Sequence, residues 1–498
     1  MKLIPVVILL IGCNLAHGQG YNHQWLLGNY NFVQDPKGRM FIDSNNFTII
    51  PETRKMPFYG AQGNICDANG NLLMSSNGVW IADATNDTMV NGSDINPGIY
   101  ASNWPNGFPI SNTSLFLPYP ADTNQFLLIH QTGGYNGFAP VMPSELYYSL
   151  IDITQNSGLG VVTLKNQVIY QDTIAWGVAA CKHSNGRDWW VVTVKDSSDQ
   201  VYITEITPGG IQNTSLQTLG FSPISIETIS QLTFSPDGTK FIASTYDDPI
   251  NRNSFIVIAD FNRCSGTFSN TQTIQLTSGS YLWGQSFSPS GTFAYACNSN
   301  HIFQINTNTY TFDTVATYDG FISPGPSCCA TTFGNMYLAA NGKIYITSGS
   351  SIRHFTEINN PDSAGIACDI QQHSVFIGNY AHLRSVPNHP NYYLGCDTSS
   401  GCPCLTSDEM ETSENDFRFM VSPNPTSGPL KFVYLLPLNK NGILEIYDVK
   451  GIKVYSQNLP PWSTFQHVNL TFLKNGIYHC VITSGNDRFA KNFVIIGE

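Results

Sequence analysis

Residues 232–243 read LTFSPDGTKFIA, and residues 286–296 read SFSPSGTFAYA. Each stretch joins two apolar runs through a short polar turn that contains glycine. Glycine accepts the positive φ that a tight hairpin turn requires, and a polar side chain just before it can cap the turn. The apolar runs on either side then pair as antiparallel strands, so each stretch predicts a β-hairpin.

The hairpin pattern returns along the chain at a nearly constant interval. The turn glycine recurs at spacings of 52, 53 and 51 residues, at Gly186, Gly238, Gly291 and Gly342. Looser copies are ICDANGNLLM at residues 65–74 and FLPYPADTNQFLLI at residues 116–129, where Asn124 takes the place of the glycine. A period of about fifty residues is typical of one four-stranded propeller blade.

These repeats predict an all-β fold, with a β-propeller over residues 19–395. A single hairpin cannot bury its apolar face, so neighbouring repeats must stack around a shared axis. Six copies lie between about residue 60 and residue 365, and strand-rich flanks at residues 25–42 and 374–394 supply one more blade. We expect about seven blades, with six or eight as alternatives. A non-closed array of β-sandwiches is the other arrangement that the pattern allows.

The composition favours strands and argues against several kinds of partner. Charged residues make up 12% of the chain, and the formal net charge is −12. Nucleic-acid binding needs a concentrated basic face, whereas the 23 Lys and Arg residues are scattered here. The sequence therefore predicts no nucleic-acid partner.

The N-terminus has the pattern of a signal peptide. Lys2 precedes the apolar run 3–11, which is too short to span a bilayer as a helix, and the small residues of 16–18 offer a cleavage site. We predict a signal peptide over residues 1–18 and no transmembrane segment. In the alternative interpretation, residues 10–13 form a lipobox and Cys13 becomes a lipidated N-terminus.

Twelve cysteines are present, and export permits disulfides. The best candidates for pairing are Cys396, Cys402 and Cys404, which cluster where the propeller region ends. Cys66, Cys181 and Cys297 sit in strand-like runs and are predicted to be buried small apolar side chains, as free cysteines often are. Of the vicinal pair Cys328 and Cys329, one is expected to be buried and the other bridged or free.

The composition changes after residue 395. Residues 407–416 contain five acids and no base, so residues 396–416 are predicted to be a solvated linker. Residues 417–498 then form a separate module. Turn signals divide it into seven predicted strands, which imply an immunoglobulin-like β-sandwich; they lie at residues 419–421, 430–434, 442–448, 453–457, 466–470, 476–483 and 488–496.

Four motifs in this module carry a specific resemblance. They are PNP at 423–425 with Gly428, IYDVKG at 446–451, LKNGIY at 473–478, and Lys491 in the last strand. The module resembles the type A sorting domain of the type IX secretion system of Bacteroidetes over its whole length. The resemblance assigns the sorting signal to Pro423, Asn424, Pro425, Gly428, Asp448, Gly451, Gly476, Tyr478 and Lys491. It implies recognition by the outer-membrane translocon and a final location in the medium or on the outer cell surface, reached through the periplasm. An ordinary β-sandwich used for binding is the alternative.

The repeat region carries a second resemblance. The matching stretches are WLLG at 25–28, ICDANGNLLMSSNG at 65–78 and VPN at 386–388. The region resembles a family of exported Bacteroidetes propeller-like proteins of unknown activity, so the resemblance implies no catalytic residues.

No catalytic, metal or cofactor motif stands out. The chain has no Gly-x-Ser-x-Gly or His-Glu-x-x-His motif, and Cys402-Pro403-Cys404 is one residue short of Cys-x-x-Cys. His382 and His389 are predicted to be loop or partly buried histidines. The sequence therefore names no catalytic residue and no cofactor.

Two classes of function are open. In the first, the protein is a secreted or surface binding or adhesion module whose propeller face engages a glycan or a surface protein, through loop aromatics such as those in 104–108 and 133–138. In the second, it is an extracellular hydrolase or lyase that degrades polysaccharide or peptide. The scarcity of ionisable groups favours the first.

Overall fold

Strands make up 51% of the residues that the structure describes and helices 3%, so the fold is all-β. The computed structural model describes residues 20–29, 35–135, 140–221, 231–246, 253–277, 280–324, 329–405, 419–434, 436, 440–461, 463, 465–485 and 487–496. Within these ranges the helices are short: α1 (Ile99–Asn103) and two 3-10 turns at Asn156–Gly158 and Gly365–Cys368. The predicted signal peptide, Cys13, Cys328 and the acidic stretch 407–416 lie outside the described residues.

The first three sheets are antiparallel meanders, in which each strand pairs with the next along the chain. Sheet 1 contains β1 (Gln24–Leu27), β2 (Lys37–Ile42) and β3 (Phe47–Glu52). Sheet 2 contains β4 (Gly63–Cys66), β5 (Leu72–Ser76) and β6 (Ile81–Asp83). Sheet 3 contains β7 (Ser114–Tyr119), β8 (Asp122–Tyr135), β9 (Pro140–Asp152) and β10 (Val161–Gln171).

Four more sheets follow the same plan. Sheet 4 contains β11 (Ala179–Lys182), β12 (Trp189–Val194), β13 (Gln200–Thr207) and β14 (Gly210–Thr218). Sheet 5 contains β15 (Thr233–Phe234), β16 (Lys240–Tyr246), β17 (Ser254–Asn262) and β18 (Thr267–Thr277). Sheet 6 contains β19 (Gly284–Phe287), β20 (Phe293–Cys297), β21 (His301–Asn306) and β22 (Phe312–Thr317). After a hairpin of β23 (Ile322–Ser323) and β24 (Cys329–Ala330), sheet 7 contains β25 (Met336–Leu338), β26 (Ile344–Ile346), β27 (His354–Ile358) and β28 (Ile370–Phe376).

The repeated turn predicted from the sequence is present in the same form each time. The turn glycines join the first two strands of their sheets with φ between 72° and 83°, at Gly70, Gly186, Gly238, Gly291 and Gly342. In each turn the glycine N–H donates to the carbonyl three residues earlier, as from Gly238 to Ser235 at 2.8 Å. The prediction for Asn124 is wrong: it lies in β8, and the turn of sheet 3 is at Pro120 and Ala121, where Ala121 adopts φ 61°.

Consecutive sheets pack through their first strands. The Asn64 side chain of β4 donates to the Gln24 carbonyl of β1 at 2.8 Å, and the Val178 N–H just before β11 donates to the Asn112 carbonyl just before β7 at 2.8 Å. β5 and β20 are buried along their whole length because neighbouring sheets cover both of their faces. Burial on both faces explains why β20, which reads FAYAC, does not alternate between apolar and polar residues.

The last sheet of the repeat region packs against the first. Trp25 of β1 is fully buried and stacks on Phe355 of β27, with ring centroids 4.8 Å apart. Tyr337 of β25 meets Trp25 edge-on at 5.4 Å, and its hydroxyl donates to the Asn22 carbonyl at 3.2 Å. Residues more than 300 positions apart in sequence therefore share one apolar cluster.

The C-terminal module consists of two packed sheets. One contains β29 (Phe419–Ser422), β30 (Pro429–Tyr434) and β33 (Phe465–Asn469). The other contains β32 (Lys453–Leu459), β31 (Gly442–Tyr447), β34 (Gly476–Ser484) and β35 (Asp487–Ile495). All seven predicted strands are present within two residues of their expected ends, and side chains of both sheets form one core that includes Phe432, Ile446 and Phe493.

Candidate functional site

The opening motif of the C-terminal module fastens its first loop to its last strand. The Asn424 side chain donates to the Asn492 carbonyl at 3.1 Å and accepts from the Val494 N–H at 2.9 Å. Pro423 and Pro425 flank Asn424, and the Thr426 N–H donates to the Val494 carbonyl at 2.9 Å. The motif therefore holds the beginning and the end of the module together.

Gly428 lies where two backbones approach closely. It has φ 130°, and a Cβ at this position would lie 2.6 Å from Thr471 Cγ2 and 2.7 Å from Thr471 Cα. The Leu470 N–H donates to the Gly428 carbonyl at 2.8 Å. Glycine is required here both for the backbone conformation and for the space.

Asp448 and Gly451 build the turn between β31 and β32. Asp448 Oδ1 accepts from the N–H groups of Lys450 at 2.8 Å and Ile452 at 2.9 Å. Gly451 takes φ 77°, and its N–H donates to the Asp448 carbonyl at 2.9 Å. These contacts fix the turn but leave its other side chains in solvent.

The last motif residues lie on β34 and β35. Gly476 begins β34, and Tyr478 is 8% exposed, donates from its hydroxyl to the Lys474 carbonyl at 2.8 Å, and stacks on Phe493 at 5.6 Å. Lys491 pairs with Cys480 across the two strands and is exposed. Most of the motif residues thus stabilise turns and the backbone conformation. Lys491 differs from them because it presents an exposed charged side chain.

In the repeat region, a segment that follows sheet 7 crosses the first strands of several sheets. This central segment is residues 386–394, VPNHPNYYL. Asn388 donates from its side chain to the Val178 carbonyl at 2.9 Å, and Tyr392 donates from its hydroxyl to the Phe116 carbonyl at 3.0 Å. His389 contacts the Asn64 carbonyl through Nε2 at 2.7 Å and the Tyr337 hydroxyl through Nδ1 at 2.8 Å. One segment therefore bonds to sheets 2, 3, 4 and 7.

A cavity of about 670 Å³ lies beside the central segment, among the first strands of sheets 4 to 7. Its buried walls are strand backbone and amide side chains such as Gln231 and Gln285. The lining residues that are not fully buried gather at the end where the hairpin turns lie. We call this end the bowl; it is lined by His23, Asp43, Pro236, Pro289, Asn391 and Tyr393.

The bowl combines an aromatic ring, an amide and one carboxylate. The Tyr393 ring is half-buried and stacks on Tyr21 at 5.5 Å. The N–H groups of Asn45 and Asn46 donate to Asp43 and hold the pKa of its carboxyl below the usual value. Burial lowers the pKa of His23, although Asp43 acts in the opposite direction. Of the described residues that line the cavity, Asp43 is the one carboxylate.

Several serine–histidine pairs are present, and they differ in how deeply they are buried. His130 contacts Asn96 Oδ1 at 2.6 Å and Ser149 Oγ at 3.0 Å, but all three residues are fully buried. Burial lowers the pKa of His130 to about 3, so its imidazole is neutral. His382, predicted to be a loop or partly buried residue, is fully buried as well. These contacts hold the structure together and are closed to substrate.

The pair Ser323 and His354 is closer to the surface, with 3.0 Å between Oγ and Nδ1. His354 is surrounded by the rings of Phe321 and Phe376, and burial is the main reason that its pKa is lowered. The nearby acid Asp319 contacts His373 instead, at 3.0 Å. The serine and the acid therefore contact different histidines, so these four residues do not form a Ser–His–acid triad.

The cysteines confirm part of the sequence analysis and extend it. Cys396 is bonded to Cys404, and Cys402 to Cys264, a partner that lies 138 positions away and that sequence spacing could not indicate. Cys329 is buried and disulfide-bonded. The predicted free, buried cysteines are confirmed, and burial raises the pKa of the thiols of Cys181 and Cys297 to about 12.

The structure describes only one of the two predicted aromatic loops, 104–108 and 133–138, in full. In residues 104–108, Trp104 is 38% exposed, whereas Phe108 is buried and meets Tyr100 edge-on at 5.0 Å. Residues 136–139 of the second loop lie outside the described residues. Among the residues that the structure describes, no three His, Cys, Asp or Glu side chains form a metal-binding group.

Comparison with known proteins identifies the C-terminal module. Residues 420–496 match the family described as the secretion system C-terminal sorting domain. The module is therefore a sorting domain, and the protein is one that the type IX secretion system exports to the cell surface or the medium. Within the described residues, no helix has the length and apolar character needed to cross a membrane.

The solved structures similar to this chain are distant from it in sequence. No curated protein matches the chain. Solved structures similar to it include a functionally unknown protein from Desulfotomaculum acetoxidans, at 15% identity and TM-score 0.40, over 73% of this chain and 99% of that one. Another is a proposed 6-phosphogluconolactonase from Bacteroides uniformis, at 12% identity and TM-score 0.38, over 90% of this chain and 100% of that one. These similarities are too distant to assign an activity.

Proposed function

We propose that this protein is a non-enzymatic binding or adhesion protein, exported by its sorting domain, that holds a ligand in the bowl. The observation that carries the proposal is the chemistry of the cavity. It is large enough for a small ligand or the end of a polymer, and its lining includes amides, prolines, aromatic rings and one lysine, Lys182. A single carboxylate, Asp43, suits hydrogen bonding, whereas most glycoside hydrolases use two.

The proposed scaffold is a closed propeller of seven blades. The seven meanders and the packing of sheet 7 on sheet 1 support this arrangement. Sheet 1 has three strands, and residues 381–389 run beside β1: the Asn29 N–H donates to the Ala381 carbonyl at 3.2 Å, and the Gly28 N–H donates to His382 Nδ1 at 3.1 Å. In this scheme the segment after sheet 7 supplies the innermost element of the first blade and joins the two ends of the ring.

The proposed domain plan follows the sequence. Residues 1–18 are a signal peptide, the propeller begins at residue 19, and residues 417–498 are an immunoglobulin-like sandwich that the translocon reads. The disulfide between Cys264 and Cys402 ties the first part of the predicted linker, residues 396–405, to the propeller. The Asp397 N–H, which donates to the Ser184 carbonyl at 2.8 Å, adds to this attachment. In this plan the predicted linker is attached to the propeller as far as residue 405.

The bowl favours a neutral, hydroxyl-rich ligand such as a glycan. Tyr393 offers an aromatic face, and Asp43 and Asn391 offer hydrogen-bonding groups that match sugar hydroxyls. A peptide of another surface protein is the second ligand to screen.

The test is a binding screen of the full chain without residues 1–18 against glycans and peptides, run together with product analysis on the same polymers. We expect saturable binding and no products. Turnover of any bound polymer would contradict the proposal and favour a hydrolase or lyase. Binding of none of the glycans or peptides would remove its support.

A further inference from the structure

The sorting domain carries a cluster of exposed apolar side chains at one end of its larger sheet. They are 51% to 69% exposed and are Val449, Ile452, Phe472, Ile477 and Ile496. We call this cluster the apolar end. Side chains of this kind are normally buried, and a contiguous exposed group of them on a soluble domain marks an interaction site.

The strand register and the adjoining loops place the five residues at the same end of the sheet. Tyr447 pairs with both Lys453 and His479, so the turn of Val449 and Ile452 and the start of β34 lie past the same end of the sheet. Ile477 is the second residue of β34, and Phe472 lies in the loop just before that strand. Gly476 pairs with Ile495, which brings Ile496 to the same end.

The motif residues that distinguish a sorting domain build the backbone of this end. Asp448 and Gly451 form the turn that presents Val449 and Ile452. Gly476 begins the strand that presents Ile477, and the buried Tyr478 anchors that strand to Lys474. The motif residues thus hold neighbouring apolar side chains in exposed positions, as is expected of a recognition surface.

The edge of the apolar end is basic. Lys450 lies in the turn and Lys474 in the loop before β34, and both are exposed. The Asp448 carboxylate, in contrast, is occupied by two backbone N–H groups. A partner for this surface would have an apolar groove with carboxylates at its rim, because complementary charge orients binding around an apolar centre.

We infer that the apolar end is the surface by which the secretion machinery captures the protein, through a component that presents an apolar, acid-rimmed groove. The match of residues 420–496 to the sorting-domain family makes the secretion machinery the partner of this domain. A small apolar surface gives a contact that can form and release, which a transported protein requires. This inference concerns export and does not depend on the ligand of the bowl.

The test compares export of full-length variants in a bacterium that has a type IX system. The double variant V449S/I477S removes two members of the apolar end. The control is Ile443→Ser, because Ile443 is 41% exposed at the opposite end of β31 in the same sheet. We expect the amount of the double variant at the surface and in the medium to be about tenfold lower than that of the wild type, as for loss of a hot-spot contact. The variant should accumulate in the periplasm instead. The control should export as the wild type does.

Thermal unfolding of each purified variant separates misfolding from lost recognition, since substitutions of exposed side chains usually change stability little. If V449S/I477S does not fold, Phe472→Ser, in a loop, is used in its place. Normal export of a folded variant would overturn the inference. The inference would also be overturned if the wild type were a dimer and the variant were an exported monomer. The apolar end would then be a contact between two copies.

Discussion

At the scale of single residues, glycines at positive φ differ in how much space their neighbours leave for a side chain. Gly428 and Gly451 both lie in the sorting domain at positive φ. A Cβ on Gly428 would overlap Thr471 backbone atoms, whereas a Cβ on Gly451 would meet nothing within 4 Å. Their shared place in the sorting motif therefore rests on different physical requirements.

This difference gives a prediction for stability. Gly451→Ala introduces only the conformational cost, about 1 kcal/mol. Gly428→Ala adds an overlap with backbone that cannot move aside, and we expect it to destabilise the sorting domain by roughly 2–4 kcal/mol. Urea unfolding of the full chain, followed by a probe in the sorting domain, measures both variants. Equal losses of free energy would contradict the assignment of Gly428 to a close backbone approach.

His382 shows how a buried imidazole can be fixed in one protonation state. Its Nδ1 accepts from the Gly28 N–H at 3.1 Å, and its Nε2 donates to the Ser385 carbonyl at 2.7 Å. Protonation of Nδ1 would place two N–H groups against each other. Burial is the main reason that the pKa of His382 is lowered to about 4.

The lowered pKa predicts a loss of stability in acid. In the unfolded chain the histidine pKa is about 6.5, so between pH 6.5 and pH 4 the unfolded state binds the extra proton and is favoured. The contribution of His382 is complete above pH 6.5 and falls by roughly 2–3 kcal/mol as the pH drops to 4. The free energy of unfolding measured against pH should have a shallower slope in His382→Gln than in the wild type. His467→Gln, at an exposed position, is the control, and an unchanged slope in His382→Gln would contradict the prediction.

At the scale of elements, two disulfides close loops of very different length. Cys264–Cys402 spans 138 positions, and Cys396–Cys404 spans 8. In the chain-entropy account, the longer loop restricts the unfolded chain more, with about 5 kcal/mol for the first and about 2.5 kcal/mol for the second.

We therefore expect C264S/C402S to lower the midpoint of thermal unfolding more than C396S/C404S does. The pair C264S/C402S should also expose residues 395–405 to limited proteolysis, because Cys402 anchors this segment to sheet 5. Differential scanning calorimetry of the oxidised proteins and mapping of the cleavage sites provide the measurements. A larger effect of C396S/C404S would show that the shorter loop dominates.

The sequence predicts the elements that local chemistry controls. The turn glycines and all seven strands of the sorting domain follow from turn residues and apolar runs. Asn124 fails because a Gly-free hairpin offers several polar residues for the turn, and Ala121 takes the positive φ instead. The roles of Cys264 and of the central segment could not be predicted from the sequence, because they depend on contacts between residues far apart in the chain. The bowl was missed for the same reason.

At the scale of the whole molecule, the repeat region and the sorting domain have separate cores. The repeat region brings its first and last sheets together around Trp25 and Phe355 and leaves a cavity beside the central segment. The sorting domain has its own core and presents the apolar end outward. The variants that test the export proposal and those that test the binding proposal therefore lie in different parts of the chain, which makes the two proposals separable by experiment.

The most direct test of the account is calorimetric titration of the purified full chain with the best ligand from the screen. Tyr393→Ala and Asp43→Asn change the bowl, and Trp104→Ala, an exposed aromatic in another loop, is the matched control. We predict that each bowl variant weakens binding by about tenfold or more, while Trp104→Ala binds as the wild type does and no product forms in any sample. Binding that is unchanged in both bowl variants, or release of product by the wild type, would contradict the account.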